Sequence, residues 1–199
     1  GHMSIPMHVG HTLNTRDDWE KLYKPKLDPT NPDRIPADFE QRAARWTDPN
    51  VDHPLIVGAG SLYGWIRDWM GVEGVTMALY DDPAWFEDMV VTLADLQVAM
   101  LEKVLATGVK PDACSMWEDM CYNAGPLLSP KFFKQYLVPN YQRITSLLAK
   151  HGVDIVWVDC DGKIDDLLPL WLEAGVNCMF PLEIGTWGTD PIKYRKEYG

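Results

Sequence analysis

Three times along the chain an amphipathic stretch runs through Gly-Val into a short apolar run that ends in acid. Gly108-Val109 leads to Glu118-Asp119, Gly152-Val153 to Asp159 and Asp161, and Gly175-Val176 to Glu183. Glycine just past a helix supplies the left-handed closing residue, and a strand without polar alternation is one buried on both faces. The pattern therefore predicts repeated helix-to-strand units that carry carboxylates to one rim. An earlier strand is expected over 55–60, followed by a helix over 62–70 closed by Gly71. Asp82-Pro83 opens a long helix in which Phe86, Met89, Val90, Leu93, Leu96, Met100, Leu101 and Val104 recur with a period near 3.6. A strand at 113–118 precedes a second long helix that begins at Ser129-Pro130, and Pro139 should kink that helix near Gln135. A strand at 154–159, a helix at 164–174, a strand at 177–182 and a last helix from Asp190-Pro191 complete the series.

Strands and helices alternate without two adjacent strand signals, so the crossovers are helical and the sheet is parallel. An open doubly wound sheet and a barrel both satisfy this pattern. Gly58-Ala59-Gly60-Ser61-Leu62-Tyr63 places tyrosine where a dinucleotide fingerprint needs its third glycine, so no nucleotide cofactor is expected. The favoured fold is α/β, a partial (β/α)8 TIM barrel of about four parallel β/α units with an N-terminal helical arm. Residues 1–3, Gly-His-Met, read as a cloning scar. Residues 4–53 are proline-rich and polar and form the arm, with helices opened by the Thr15 capping box and by Pro36, and residues 54–199 form the partial barrel.

Composition narrows the partners. With 29 acidic against 18 basic residues and a net charge of -11, nucleic acid and anionic membranes are not expected to bind. No apolar run suits a membrane helix. The four cysteines show no C-x-x-C spacing and read as reduced thiols in a cytoplasmic protein.

Candidate chemistry gathers at the strand ends. Asp159 and Asp161 are two apart and share a face of their strand, with Cys160 opposite. Two carboxylates so close need a cation, a donor or a raised pKa. A divalent metal meets that need at Asp159 and Asp161, although Asp161 also suits a helix cap. Glu118 and Glu183, each ending a strand, are the candidate catalytic acid and base, whereas Asp119 reads as a solvated loop acid. The run Gly60-Ser61-Leu62-Tyr63-Gly64 is either a tight turn or a cradle of backbone amides for a carboxylate or phosphate. Ser61, Tyr63 and Arg67 beside it, together with Tyr122, are the candidate substrate-binding residues. Arg67 could equally pair with Asp68 or Glu73.

Several of these segments also carry a resemblance. Trp117-Glu118-Asp119-Met120-Cys121-Tyr122, the run from Gly125 to Phe133, Pro139-Asn140-Tyr141, Val156-Trp157-Val158-Asp159-Cys160-Asp161-Gly162, the run from Pro169 to Asn177, and Phe180-Pro181-Leu182-Glu183 resemble the uroporphyrinogen decarboxylase superfamily. The resemblance implies a (β/α)8 barrel. It also implies either tetrapyrrole decarboxylation or metal-dependent methyl transfer with a corrinoid protein partner or a small methylated substrate. The arginine-rich N-terminal signature and early aspartate of the decarboxylases are not matched, and an acidic mouth repels their polycarboxylate substrate. Where the zinc methyltransferases carry H-x-C-G, this chain has Asp159-Cys160-Asp161-Gly162. Oxygen ligands make magnesium or manganese fit better than zinc. A third expectation follows if the chain is a central slice of the barrel. Its open edges would then drive homo-oligomerisation, and the piece alone would be inactive.

Overall fold

The structure, a computed structural model, describes residues 10–199, so the expected scar at 1–3 and the start of the arm lie outside it. Among the described residues there are six strands: β1 (Ile56–Gly58), β2 (Ala113–Trp117), β3 (Cys121–Tyr122), β4 (Gly125–Pro126), β5 (Ile155–Asp159) and β6 (Cys178–Phe180). The main sheet has the order β1-β2-β5-β6 and is parallel throughout, while β3 and β4 form a small antiparallel hairpin. The helices are α1 (Arg16–Asp18), α2 (Phe39–Trp46), α3 (Gly64–Asp81), α4 (Pro83–Leu105), α5 (Pro130–Phe132), α6 (Val138–Lys150), α7 (Leu168–Glu173), α8 (Ile184–Trp187) and α9 (Pro191–Tyr198). Four parallel strands joined by helical crossovers make this the expected partial TIM barrel.

The two faces of the sheet differ sharply. Cys114 and Met116 of β2 and Val156 and Val158 of β5 are buried, and they share one core with Phe86, Met89 and Leu93 of α4 and Tyr141, Ile144 and Leu148 of α6. The alternate residues, Ser115, Trp117, Trp157 and Asp159, are half-buried on the other face, where Ile56, Ile155 and Phe180 are exposed. Register sets neighbours across that inner face: Ser115 lies opposite Trp157, Trp117 opposite Asp159, and Asp159 opposite Phe180.

The arm is tied to the body by its own chemistry. Thr15 and Asp18 form the expected capping box, after which α1 widens into a π-turn over Trp19–Tyr23. Trp19 is fully buried, and its indole N–H donates to Asp88 of α4 at 2.7 Å. Helix α2 begins at Phe39, three residues after the expected opening at Pro36.

Four local features depart from the sequence reading. Gly71 does break the helix, at φ 74° and ψ 165°, but helical structure resumes and runs to Asp81. A Cβ at Gly71 would stand 2.4 Å from the His11 ring, so a contact with the distant arm requires the break. The hairpin β3–β4 and the short α8 were not anticipated. Pro139 sits in the first turn of α6, and the missing amide is accommodated by a π-turn over Phe133–Leu137 between α5 and α6. Among the described residues no helix is long and apolar enough to cross a membrane.

Candidate functional site

Glu118 follows β2 and continues its alternation, so its side chain falls on the Cys114 and Met116 face, away from the inner face. It is completely buried. Its oxygens accept hydrogen bonds from the backbone N–H groups of Leu62, Tyr63 and Gly64, each at 2.8 Å. The Ser61 hydroxyl adds a bond at 3.0 Å and the Tyr141 hydroxyl one at 2.5 Å. Burial pushes the Glu118 carboxyl pKa upward, against the opposing pull of Tyr141 and the three amides. Burial, and then the charge of Glu118, hold the Tyr141 phenol well above the usual tyrosine range, which keeps it a donor.

The amide cradle at the start of α3 is therefore real, and its occupant is the chain's own carboxylate. This corrects three expectations at once. Glu118 does not face the mouth as an acid or base, because all its acceptor capacity is spent in the core. Ser61 and Tyr63 do not meet substrate, because both are sealed beside it.

Asp119 takes the place expected for Glu118. Its φ of 45° turns the chain sharply after β2, a left-handed geometry that aspartate tolerates better than most residues. Arg67, from α3, donates to the Asp119 carbonyl through Nη1, while its Nη2 lies 3.9 Å from the Asp119 carboxylate and 3.1 Å from Asp68 Oδ1. The backbone N–H of Asp161 donates to Asp119 Oδ1 at 3.2 Å. These contacts aim Asp119 at Asp159 and Asp161, and one carboxylate oxygen of each of the three lies within 4.8 Å of the others. Burial and then the Asp119 charge raise the Asp159 pKa, whereas Asp161 is raised by burial, Asp119, Glu183 and Asp159, in that order.

Glu183 stands beside this cluster. Its Oε2 accepts from the Gly162 backbone N–H and from the Trp187 indole N–H, both at 2.6 Å. Gly162 at φ 97° packs so closely on the hairpin that a Cβ would lie 2.7 Å from the Cys121 backbone. Glu183 thus fastens the turn that carries Asp161. Tyr122, on the hairpin, is exposed, with its ring 6.4 Å from that of Trp187. Arg67 also lies over the Trp117 ring at 5.3 Å, within cation–π range. Cys160 is buried on the helix side, where its sulfur accepts the Met120 N–H at 3.3 Å.

Asp119 was missed because a carboxylate after a strand reads as solvated loop. The signal that could have found it is parity: Glu118 shares the face of Met116, which leaves the next acid to turn toward Asp159.

A family model described as uroporphyrinogen decarboxylase (URO-D) matches residues 4–187. Among curated proteins, none matches the sequence. The fold is similar to a solved structure, a methyltransferase from Methanosarcina mazei, with a TM-score of 0.54 and 16% sequence identity. The similarity covers 78% of this chain and 49% of that one, so the chain spans about half the length of the structure it resembles.

Proposed function

The chain belongs to the uroporphyrinogen decarboxylase family, and from that premise we propose that its acidic rim is the cation-binding centre of an enzyme of one-carbon, specifically methyl, transfer. The reaction partners in this reading are a small methylated substrate or a corrinoid protein. The observation that carries it is the convergence of Asp119, Asp159 and Asp161.

The donor set decides which cation fits. Three carboxylates offer oxygen alone, and Cys160, between two of them in sequence, lies on the opposite face of its strand. Soft thiolate and imidazole donors favour zinc, whereas an all-oxygen set suits magnesium or manganese. Asp119, Asp159 and Asp161 would hold the ion, and when bound it supplies Lewis acidity. The remaining work belongs to the chain's own groups. Arg67 and the Asp161 amide orient Asp119, Glu183 fixes the Gly162 turn, and Trp117 and Trp157 stand half-buried on the same face as Asp159.

Tetrapyrrole decarboxylation is disfavoured by the same geometry. A polycarboxylate brought to this rim meets four carboxylates (Asp119, Asp159, Asp161 and Glu183), while the neighbouring cation Arg67 is already engaged by Asp68 and Asp119.

Calorimetric titration with Mn²⁺ tests the reading. Wild-type protein is expected to bind one ion per chain, and Asp159→Asn and Asp119→Asn each to weaken binding at least tenfold. Equal affinity in wild type and both variants would remove the ligand assignment. Turnover of uroporphyrinogen by the wild type would replace methyl transfer with decarboxylation.

A further inference from the structure

Next to the acidic cluster, on the inner face of the sheet, lies a concavity of ≈ 520 Å³ lined by Trp65, Trp117 and Trp157 with Asp159 at its edge. We propose that this cavity binds a methylated ammonium group, a quaternary or tertiary organic cation, and so sets the substrate class of the enzyme. The assignment rests on the methyl-transfer reading for its reaction, while the binding it describes stands on the cavity itself.

Three features lead to it. The first is the wall. Trp117 and Trp157 come from neighbouring strands on one face, and Trp65 reaches in from α3. Each is half-buried, with indole surface left for a ligand. The negative face of an indole attracts cations, most strongly where water is displaced, and rings grouped around one space are how proteins recognise quaternary ammonium ions. Trp117 already carries one cation, the Arg67 guanidinium at 5.3 Å.

The second feature is the floor. Gly58, Gly60 and Ser115 line the cavity with almost no side-chain volume. Gly60, at φ 60°, lets Trp65 approach so closely that a Cβ there would fall 2.6 Å from the indole. A Cβ at Gly58 would meet only Ser115 Oγ, at 3.9 Å, so the space above it is open. Room framed by indoles, two glycines and one hydroxyl has few oxygens to offer. It suits a cation that carries its own methyl shell better than a hydrated ion or a primary ammonium, each of which needs several acceptors.

The third feature is charge. Asp119, Asp159, Asp161 and Glu183 crowd this end of the sheet, where the cation Arg67 is shared between Asp119 and Asp68, so the rim stays strongly negative. A divalent ion offsets part of this charge, and a monocationic substrate beside Asp159 offsets more of it. A neutral or anionic substrate leaves the rim unbalanced or worsens the imbalance.

The test compares choline with its neutral isostere 3,3-dimethylbutan-1-ol by calorimetry, with and without Mn²⁺. Choline is expected to bind at least tenfold more tightly than the isostere, with Trp157→Leu reducing choline affinity about tenfold and Trp157→Phe retaining most of it. Gly58→Val, which fills the cavity from a position with room for a side chain, is expected to abolish choline binding while circular dichroism remains native. Gly58→Val should not alter the Mn²⁺ isotherm. Equal affinity for the two isosteres, no choline binding to wild type, or binding unchanged in Gly58→Val would each overturn the assignment. Choline binding without any Mn²⁺ binding would instead remove the metal reading and leave the cation cavity standing.

Discussion

Glu118 and Asp159 close neighbouring parallel strands, and the Glu118 backbone N–H even donates to the Asp159 carbonyl at 2.9 Å. Their side chains nevertheless live in opposite worlds. Glu118 points into the core, where five donors surround it and its charge holds the start of α3 to the end of β2. Asp159 points to the inner face, where its neighbours include two further aspartates. Both carboxyls are raised in pKa by burial, but donors oppose the rise at Glu118 and a like charge deepens it at Asp159. The difference separates a carboxylate that builds the fold from one left free to meet a ligand, and one step of strand alternation produces it.

The largest effect expected from breaking this contrast is at Glu118. Glu118→Ala strands three backbone N–H groups and the Tyr141 hydroxyl in the core, and should cost about 4 kcal/mol of stability in urea denaturation. Tyr141→Phe, which removes a single donor to the same charge, should cost about 2 kcal/mol.

Asp159→Asn should act in the opposite direction. In the folded protein Asp159 and Asp161 keep their protons to higher pH than in the unfolded chain, whose carboxyls titrate near about 3.9. Metal-free stability is therefore undiminished below that pH and declines as pH rises through the raised folded values. Asp159→Asn should flatten the decline and gain about 0.5 kcal/mol at neutral pH, the scale of a partly exposed charge interaction. Thermal melts in chelator between pH 4 and pH 7 check this, and a steeper decline in the variant would contradict it.

The smallest perturbation is chemical labelling. Cys178 is exposed on the inner face, while Cys114 and Cys160 lie buried on the helix side. Burial pushes the Cys114 thiol up to about 12. Native protein should label rapidly with a thiol reagent at Cys178, with Cys114 and Cys160 reacting only on unfolding. Mass spectrometry of labelled peptides reads the outcome.

Most of the architecture was legible because it rests on local rules. Gly108, Gly152 and Gly175 close helices, Asp82-Pro83 and Asp190-Pro191 open them, and the apolar runs after each Gly-Val are strands of a parallel sheet. What escaped depends on contacts distant in sequence. The backbone at Gly71 packs directly against His11 of the arm, and the β3–β4 hairpin closes against the Gly162 turn. At the rim, the spacing of Asp159 and Asp161 is enough to put both on one face of their strand. Parity turns Asp119 away from Glu118 and toward them, but what holds it there is Arg67, 52 residues earlier, and a left-handed turn, neither of which a local pattern announces. The Gly60–Gly64 run reads in sequence as either a tight turn or an anion cradle, and it takes the fold to bring Glu118, more than fifty residues later, into it.

That internal occupancy reaches beyond stability. The positive pole of α3 is cancelled by Glu118 before it can soften the field of Asp119, Asp159 and Asp161 outside. At the open end of the sheet the field of those three aspartates is offset, among the described residues, by Arg67 alone of the cationic side chains that contact them, and in the cation-binding reading it draws the ion in. Capture should be fastest in dilute buffer and should slow steeply once added salt shortens the Debye length to about 10 Å or less, so ionic strength becomes a control on the rate at which this surface fills.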